Sequence, residues 1–173
     1  MNTAQPHQIV VAALLRHDGD ILLVKQQGPE DPTPTWALPG GVVESDEPLG
    51  DALRREISQE TGLKILELGP VVYAAQSKEY ETGHRTTSFI FETNLWQGEI
   101  APADPDKLIL EACFLPVETA IEVLSALPWQ VMREPIVTYL QGRSEPGELW
   151  LYRSHQNGQT NLLERLHGWE HRS

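Results

Sequence analysis

The sequence predicts an α/β domain on three observations. Ile9 to Arg16 and Ile21 to Gln26 are apolar, strand-like runs joined across His17-Asp18-Gly19-Asp20, a good hairpin turn. Leu49, Ala52, Leu53 and Ile57 recur at spacings of three and four, which gives a helix an apolar stripe for a core. Further strand-like runs and helical stretches then follow one another, a mixture that requires a sheet with helices packed on it.

After the first hairpin, Gly28 to Thr35, GPEDPTPT, is a Pro-rich loop that cannot be regular structure and leads into Trp36. The central helix is expected from about Glu47 to Thr61. Ser45 or Asp46 is its candidate N-cap, and Glu47 places negative charge in the first turn, where the helix dipole favours it. Pro48 is tolerated that early because its missing N–H would have been unpaired anyway. Gly62 is the candidate C-cap, and Gly50 inside the helix costs roughly 1 kcal/mol relative to alanine.

Val71 to Ser77 reads as a strand. Arg85 to Leu95, with Phe89, Phe91 and Thr93 on one face, reads as another. Gln97 to Lys107, with Pro102 and Pro105, is a loop before the strand-like Leu108 to Leu115. Helices are expected from Pro116 to Leu127 and from Trp129 to Gln141. Together, residues 8–142 form the expected core domain.

Residues 143–173 read as a C-terminal extension for packing or dimerisation. Arg143 to Gly147 is a linker, Glu148 to Tyr152 a strand, Asn157-Gly158 a turn, and Asn161 to Leu166 a short helix.

The 173 residues suit one domain, and 40% hydrophobic residues can bury a sizeable core. A net charge of −12 without a basic cluster argues against nucleic acid or an anionic membrane as the main partner. The first residues, MNTAQPHQ, lack a basic n-region, and no apolar run approaches the roughly 20 residues that span a bilayer, so the cytoplasm is the expected location. Cys113 lies in an apolar run and is expected to be a buried small hydrophobe.

The chemistry sits in Gly41 to Leu63, GVVESDEPLGDALRREISQETGL. On the central helix Glu56 and Glu60 are i and i+4 neighbours, so their carboxylates share a face and repel unless something compensates. A hard cation such as Mg²⁺ would do so, with oxygen ligands, waters and substrate phosphates around it. Arg55 alongside can orient a carboxylate or hold a phosphate oxygen. For an isolated pair of this kind, an ordinary solvated helix face is the simpler reading.

The full set of offsets resembles the Nudix box: Gly, five residues, Glu, seven residues, then Arg-Glu-U-x-Glu-Glu-x-Gly-U, with U aliphatic. Gly41, Glu47, Arg55-Glu56-Ile57, Glu60, Gly62 and Leu63 match, and Trp36-Ala37-Leu38-Pro39-Gly40-Gly41 looks like the family's lead-in. The resemblance implies a mixed sheet in an α/β/α sandwich. It also implies hydrolysis, by water with Mg²⁺ or Mn²⁺, of a nucleoside diphosphate linked to another moiety.

Carried over, Glu56 and Glu60 would be metal ligands and the Gly40 carbonyl a further one, with Glu56 the candidate general base. Arg55 would orient a catalytic glutamate, Gly41 would adjoin the substrate, and Glu47 and Gly62 would support the box. The one departure is Gln59, where the family has the first glutamate of its pair. An amide can still coordinate, directly or through water, but it loses one negative charge, so reduced or altered metal demand is expected.

Outside the box, His84 and Arg85 are candidates for phosphate contact. Trp36, Tyr80, Phe91 and Trp129 are candidates for base stacking, although packing is the simpler role for each. An additional acidic residue is sought among Glu79, Glu81, Asp104, Asp106 and Glu111.

The expected activity is therefore a pyrophosphohydrolase acting on a small nucleotide substrate, a nucleoside triphosphate or a nucleotide sugar, in a chain that could form a homodimer. The alternative is a Nudix-like module that binds a ligand without turning it over.

Overall fold

A computed structural model describes residues 7–29 and 31–167. Its strands are β1 (His7–His17), β2 (Asp20–Gln26), β3 (Thr35–Ala37), β4 (Gly40–Val42), β5 (Lys64–Ile65), β6 (Val71–Glu79), β7 (Arg85–Thr93), β8 (Trp96–Gln97), β9 (Ile109–Leu115), β10 (Glu148–Ser154) and β11 (Thr160–Leu166). Its helices are α1 (Leu49–Thr61), α2 (Val117–Ser125) and α3 (Gln130–Leu140).

The main sheet runs in the order β11-β10-β6-β7-β1-β2-β3, with β4 also paired to β1 and β9 to β2. It is mixed, because β1 pairs parallel with β7 and β10 parallel with β6, while its other pairings are antiparallel. A small β5–β8 ribbon stands apart.

Alternation along β1 divides the interior in two. Val11, Ala13 and Leu15 face α1 and meet Ala52, Leu53 and Ile57, all fully buried. Leu14 faces the other way, in the core that contains Ala120 and Leu124 of α2 and Ile136 of α3. Helices therefore cover both faces, which is the expected α/β/α sandwich.

The helix expected from Glu47 begins instead at Leu49, with Pro48 as N-cap and no side-chain cap. Ser45 and Asp46 do not cap it. Residues 44–47 form a turn in which the Glu44 N–H donates to the Glu47 carboxylate at 2.9 Å, so Glu47 stands before the helix and is free to reach sideways. At the other end Gly62 takes φ +81°, where a side chain is strained, and its N–H donates to Ser58.

The segment expected as a short helix, Asn161 to Leu166, is strand β11, which pairs antiparallel with β10. Leucines at 162, 163 and 166 imitate helical spacing, but a register shift opposite Leu151/Tyr152 places two of them side by side within a strand. The C-terminal segment thus extends the main sheet as a hairpin on β6. Cys113 is half-buried, not fully enclosed, and its thiol pKa is pushed up by burial and by Glu111. Among the described residues, no helix is long and apolar enough to cross a membrane.

Candidate active site

The site is assembled where β4 meets α1. Gly40 pairs with Ala12 and Gly41 with Val11, so this glycine turn lies on β1 in the middle of the sheet. A Cβ at Gly40 would stand 2.2 Å from the Val11 carbonyl oxygen, which only glycine avoids. A Cβ at Gly41 would stand 2.5 Å from the Glu56 Cδ and Oε1. Both glycines therefore exist to let something approach the backbone: a strand at one and a carboxylate at the other.

Arg55 organises the neighbouring charges. Its Nη2 donates to Glu47 Oε1 at 2.5 Å and to the Val42 carbonyl at 3.1 Å. Its Nη1 donates to Glu56 Oε1 at 2.6 Å, and its Nε to Glu47 Oε2 at 3.2 Å. One planar guanidinium thus fixes two carboxylates and the end of β4, a task a point-like ammonium cannot perform. The hydrogen bond from Arg55 holds the Glu47 carboxyl below its usual pKa, while Glu47 raises the Arg55 pKa further above its already high value. Oε2 of Glu56 has no hydrogen-bond partner among the described residues.

Glu60 is set differently. It is buried, and its Oε2 accepts the Gly40 N–H at 2.7 Å. Burial pushes its pKa up to about 8; the Gly40 N–H works against that rise, and the charges of Glu56 and Asp104 add to it. Asp104 approaches on a loop tied to the last turn of α1, where Ala101 N–H donates to the Thr61 carbonyl and Ala103 N–H to Gln59. The Asp104 carboxylate itself accepts from the N–H groups of Leu108 and Ile109 at 2.6 and 3.1 Å.

A NUDIX domain model matches residues 5–138. The chain belongs to the Nudix family. Over 81 residues it is 38% identical to the nucleoside triphosphatase NudI of Escherichia coli O139:H28, covering 44% of this chain and 57% of that protein. Over 55 residues it is 42% identical to the CTP pyrophosphohydrolase of Escherichia coli K12, covering 32% of this chain and 41% of that one. The chain spans about half the length of the curated relatives it matches.

A MutT Nudix hydrolase from Burkholderia pseudomallei superposes with a TM-score of 0.55 at 25% identity, over 65% of this chain and 84% of that one. A MutT protein from Bacillus halodurans superposes with a TM-score of 0.66 over 91% of this chain and 95% of that one; at 17% identity this shows the fold alone.

Around this Nudix box the other candidate residues divide. Gln59 Oε1 stands 3.5 Å from Arg55 Nη1, which places the amide on the side of the helix that carries the clamp. His84 lines a cleft of about 600 Å³ together with His7, Val42, Glu44, Glu47 and Leu49. Arg85 is exposed on the neighbouring strand. Phe91 packs into the α1 core, Trp36 against the other core, and Tyr80 is exposed. Trp129 borders a second cleft, of about 640 Å³, on the opposite sheet face beside α3.

Among the acidic candidates outside the Nudix box, Asp104 is the one whose charge reaches Glu60. Glu79 bonds Thr82, and Glu81 bonds His155. Sequence reasoning missed the Gly40 N–H as the group that fixes Glu60 and the Val42 carbonyl as an anchor for Arg55. Backbone partners of this kind leave no mark in the residue types.

The donor set suits a hard divalent cation. Among the described residues no three His, Cys, Asp or Glu side chains gather as a ready-made cage. What the site offers is Glu56, with a free oxygen, and Glu60, a buried carboxyl whose proton a cation would displace, both beside a backbone turn. Mg²⁺ bound by one or two carboxylates, with substrate phosphates and waters completing its shell, needs no more protein than this.

Proposed function

We propose that this Nudix protein is a divalent-metal-dependent pyrophosphohydrolase that cleaves the diphosphate linkage of a nucleoside diphosphate derivative, with nucleoside triphosphates as the first class to test. The observation that carries the reading is the placement of the Glu56 carboxylate. It rests on the Gly41 backbone and is held by Arg55 through Oε1 alone. The names of the two relatives, a nucleoside triphosphatase and a CTP pyrophosphohydrolase, support that substrate class.

Glu56, Glu60 and the Gly40 carbonyl would hold Mg²⁺ or Mn²⁺, with Gln59 contributing weakly or through a water. When bound, the ion would neutralise the diphosphate and make a water acidic enough to attack near neutral pH. Glu56 takes the proton from the attacking water at Oε2 while Arg55 keeps its other oxygen occupied. The new P–O bond forms in line with the one that breaks, and the leaving phosphate departs with the electron pair. Glu47 holds the guanidinium where it also donates to the Val42 carbonyl, so the base does not rotate away. Gly41 gives the substrate close access to the backbone, and His84 in the adjoining cleft and Arg85 on the strand beside it contact its phosphates.

The test is a phosphate-release screen with Mg²⁺ and with Mn²⁺. Its panel holds nucleoside triphosphates, ADP-ribose, nucleotide sugars, NADH and dinucleoside polyphosphates, with Glu56→Gln as control. Turnover in the wild type that falls by about 10³-fold or more in the control supports the assignment, since general-base catalysis contributes about 10²–10⁴-fold. Wild-type silence across the panel, with metal binding still detectable, would replace it with a binding module.

A further inference from the structure

The cleft beside Glu47 leads to a row of basic side chains of which the hydrolytic reading uses only Arg85. Sheet register aligns them: Arg153 lies opposite Lys78 across β10–β6, Lys78 opposite Arg85 across β6–β7, and Arg85 beside His7 across β7–β1. Directly paired residues project from the same face. Their sequence neighbours Ser77, Thr86 and Gln8 line the cleft on the α3 face, so the cationic row stands on the α1 face. All four residues are exposed. With strands about 4.8 Å apart, the row is roughly 14 Å long.

Folding alone disfavours this arrangement, because like charges placed directly opposite one another on adjacent strands repel. The chain carries a net charge of −12, yet among the described residues no carboxylate pairs with Lys78, Arg85 or Arg153. The nearby acids are engaged elsewhere, Glu81 with His155 and Glu79 with Thr82. Arg153 is positioned instead by the Tyr80 ring, with its guanidinium carbon 5.8 Å from the ring centroid.

The row is also continuous with the proposed site. His7 and His84 share their cleft with Glu47, and Glu47 shares Arg55 with Glu56. An anion that reaches past the scissile diphosphate and Arg85 therefore meets Lys78 and then Arg153.

We propose that this row is a subsite for a second phosphate-bearing group of the substrate, one carried beyond the diphosphate that is cleaved. The assignment deepens the hydrolase reading above and rests on it. Arginine forks suit phosphate oxygens, and a row this short on an acidic protein selects a compact anion over a nucleic-acid backbone.

The decisive experiment separates the row from catalysis. Inorganic tripolyphosphate is titrated calorimetrically, in EDTA, into the wild type, Glu56→Gln and the Lys78→Ala/Arg153→Ala double variant, with thermal melts to check folding. Wild type and Glu56→Gln should bind alike. The double variant should bind about tenfold more weakly or worse, with a shallower salt dependence from the loss of two cations. Unchanged affinity in the double variant overturns the subsite whatever the turnover screen shows.

In kinetics with Mg²⁺, the double variant should raise KM for diadenosine pentaphosphate by about tenfold with kcat held, and move ADP-ribose little. An equal rise for both substrates would mean a diffuse field, and tighter binding of a single-stranded oligonucleotide than of tripolyphosphate would mean a nucleic-acid surface. Either result overturns the proposal. Wild-type silence on all nucleotides would defeat the hydrolase reading, while the titration would still decide whether the row binds phosphate.

Discussion

The carboxylate of Glu56 lies against the backbone of Gly41, so closely that a methyl group added there would stand 2.5 Å from the carboxylate carbon. Gly41→Ala should therefore push the proposed base out of line and leave the sheet largely undisturbed. Misplacement by about an ångström costs on the order of 10²-fold in rate. We expect kcat to fall by about that factor with the melting temperature within a few degrees of wild type, read by steady-state kinetics and calorimetry. Wild-type turnover would show that the Glu56 position is not critical.

Arg55→Lys keeps the charge but loses the fork that reaches Glu47, Glu56 and the Val42 carbonyl together. The expected result is a fall of about 10–100-fold in kcat with a smaller change in KM, because the base would lose its orientation. Rates within twofold of wild type would reduce Arg55 to a surface ion pair.

Gln59→Glu restores the charge that the family pattern places there. The amide oxygen is 3.5 Å from Arg55 Nη1, so a carboxylate at this position would stand beside the clamp and add to the acidic set. The Mg²⁺ concentration for half-maximal rate should drop several-fold in a metal titration. An unchanged titration curve would mean that residue 59 does not see the ion.

Acid stability should depend on Glu148, which is only 2% exposed. Burial alone would raise its pKa, but hydrogen bonds from Arg165 and His167 and from the Glu145 N–H outweigh that and hold it below the usual 4.5. A depressed folded-state pKa contributes stability that is present above the unfolded value and lost as pH falls through the folded one. Melting temperature should therefore decline below about pH 4.5, and Glu148→Gln should be less stable than wild type at pH 7 with a flatter acid limb. Parallel curves for the two proteins between pH 7 and 3 would remove Glu148 from the account.

Much of this was legible in the residues. The stripe of Leu49, Ala52, Leu53 and Ile57 is a helix because each position meets the sheet, and the box offsets identified the cluster around Arg55. α1 starts two residues later than its residue types suggest because Glu47 serves Arg55 across space instead of the helix terminus, a tertiary contact that overrides a capping preference. Strand β11 looked helical because a bulge disturbs its alternation. The pairs β3–β2 and β5–β8 involve segments too short to carry a period. The cationic row was invisible, since Lys78 and Arg153 are 75 positions apart in sequence and meet only through a parallel pairing.

That parallel pairing of β10 with β6 also dictates an order of events during synthesis. Strand β6 leaves the ribosome with one partner, β7, close behind it in sequence, but its other neighbour is Glu148–Ser154. Until those residues emerge, a row of unpaired backbone groups beside Val72, Tyr73 and Ala75 lies open to pairing with other chains. The nascent protein is thus most prone to aggregate in the interval after α1 is made and before β10 and β11 close this edge of the sheet.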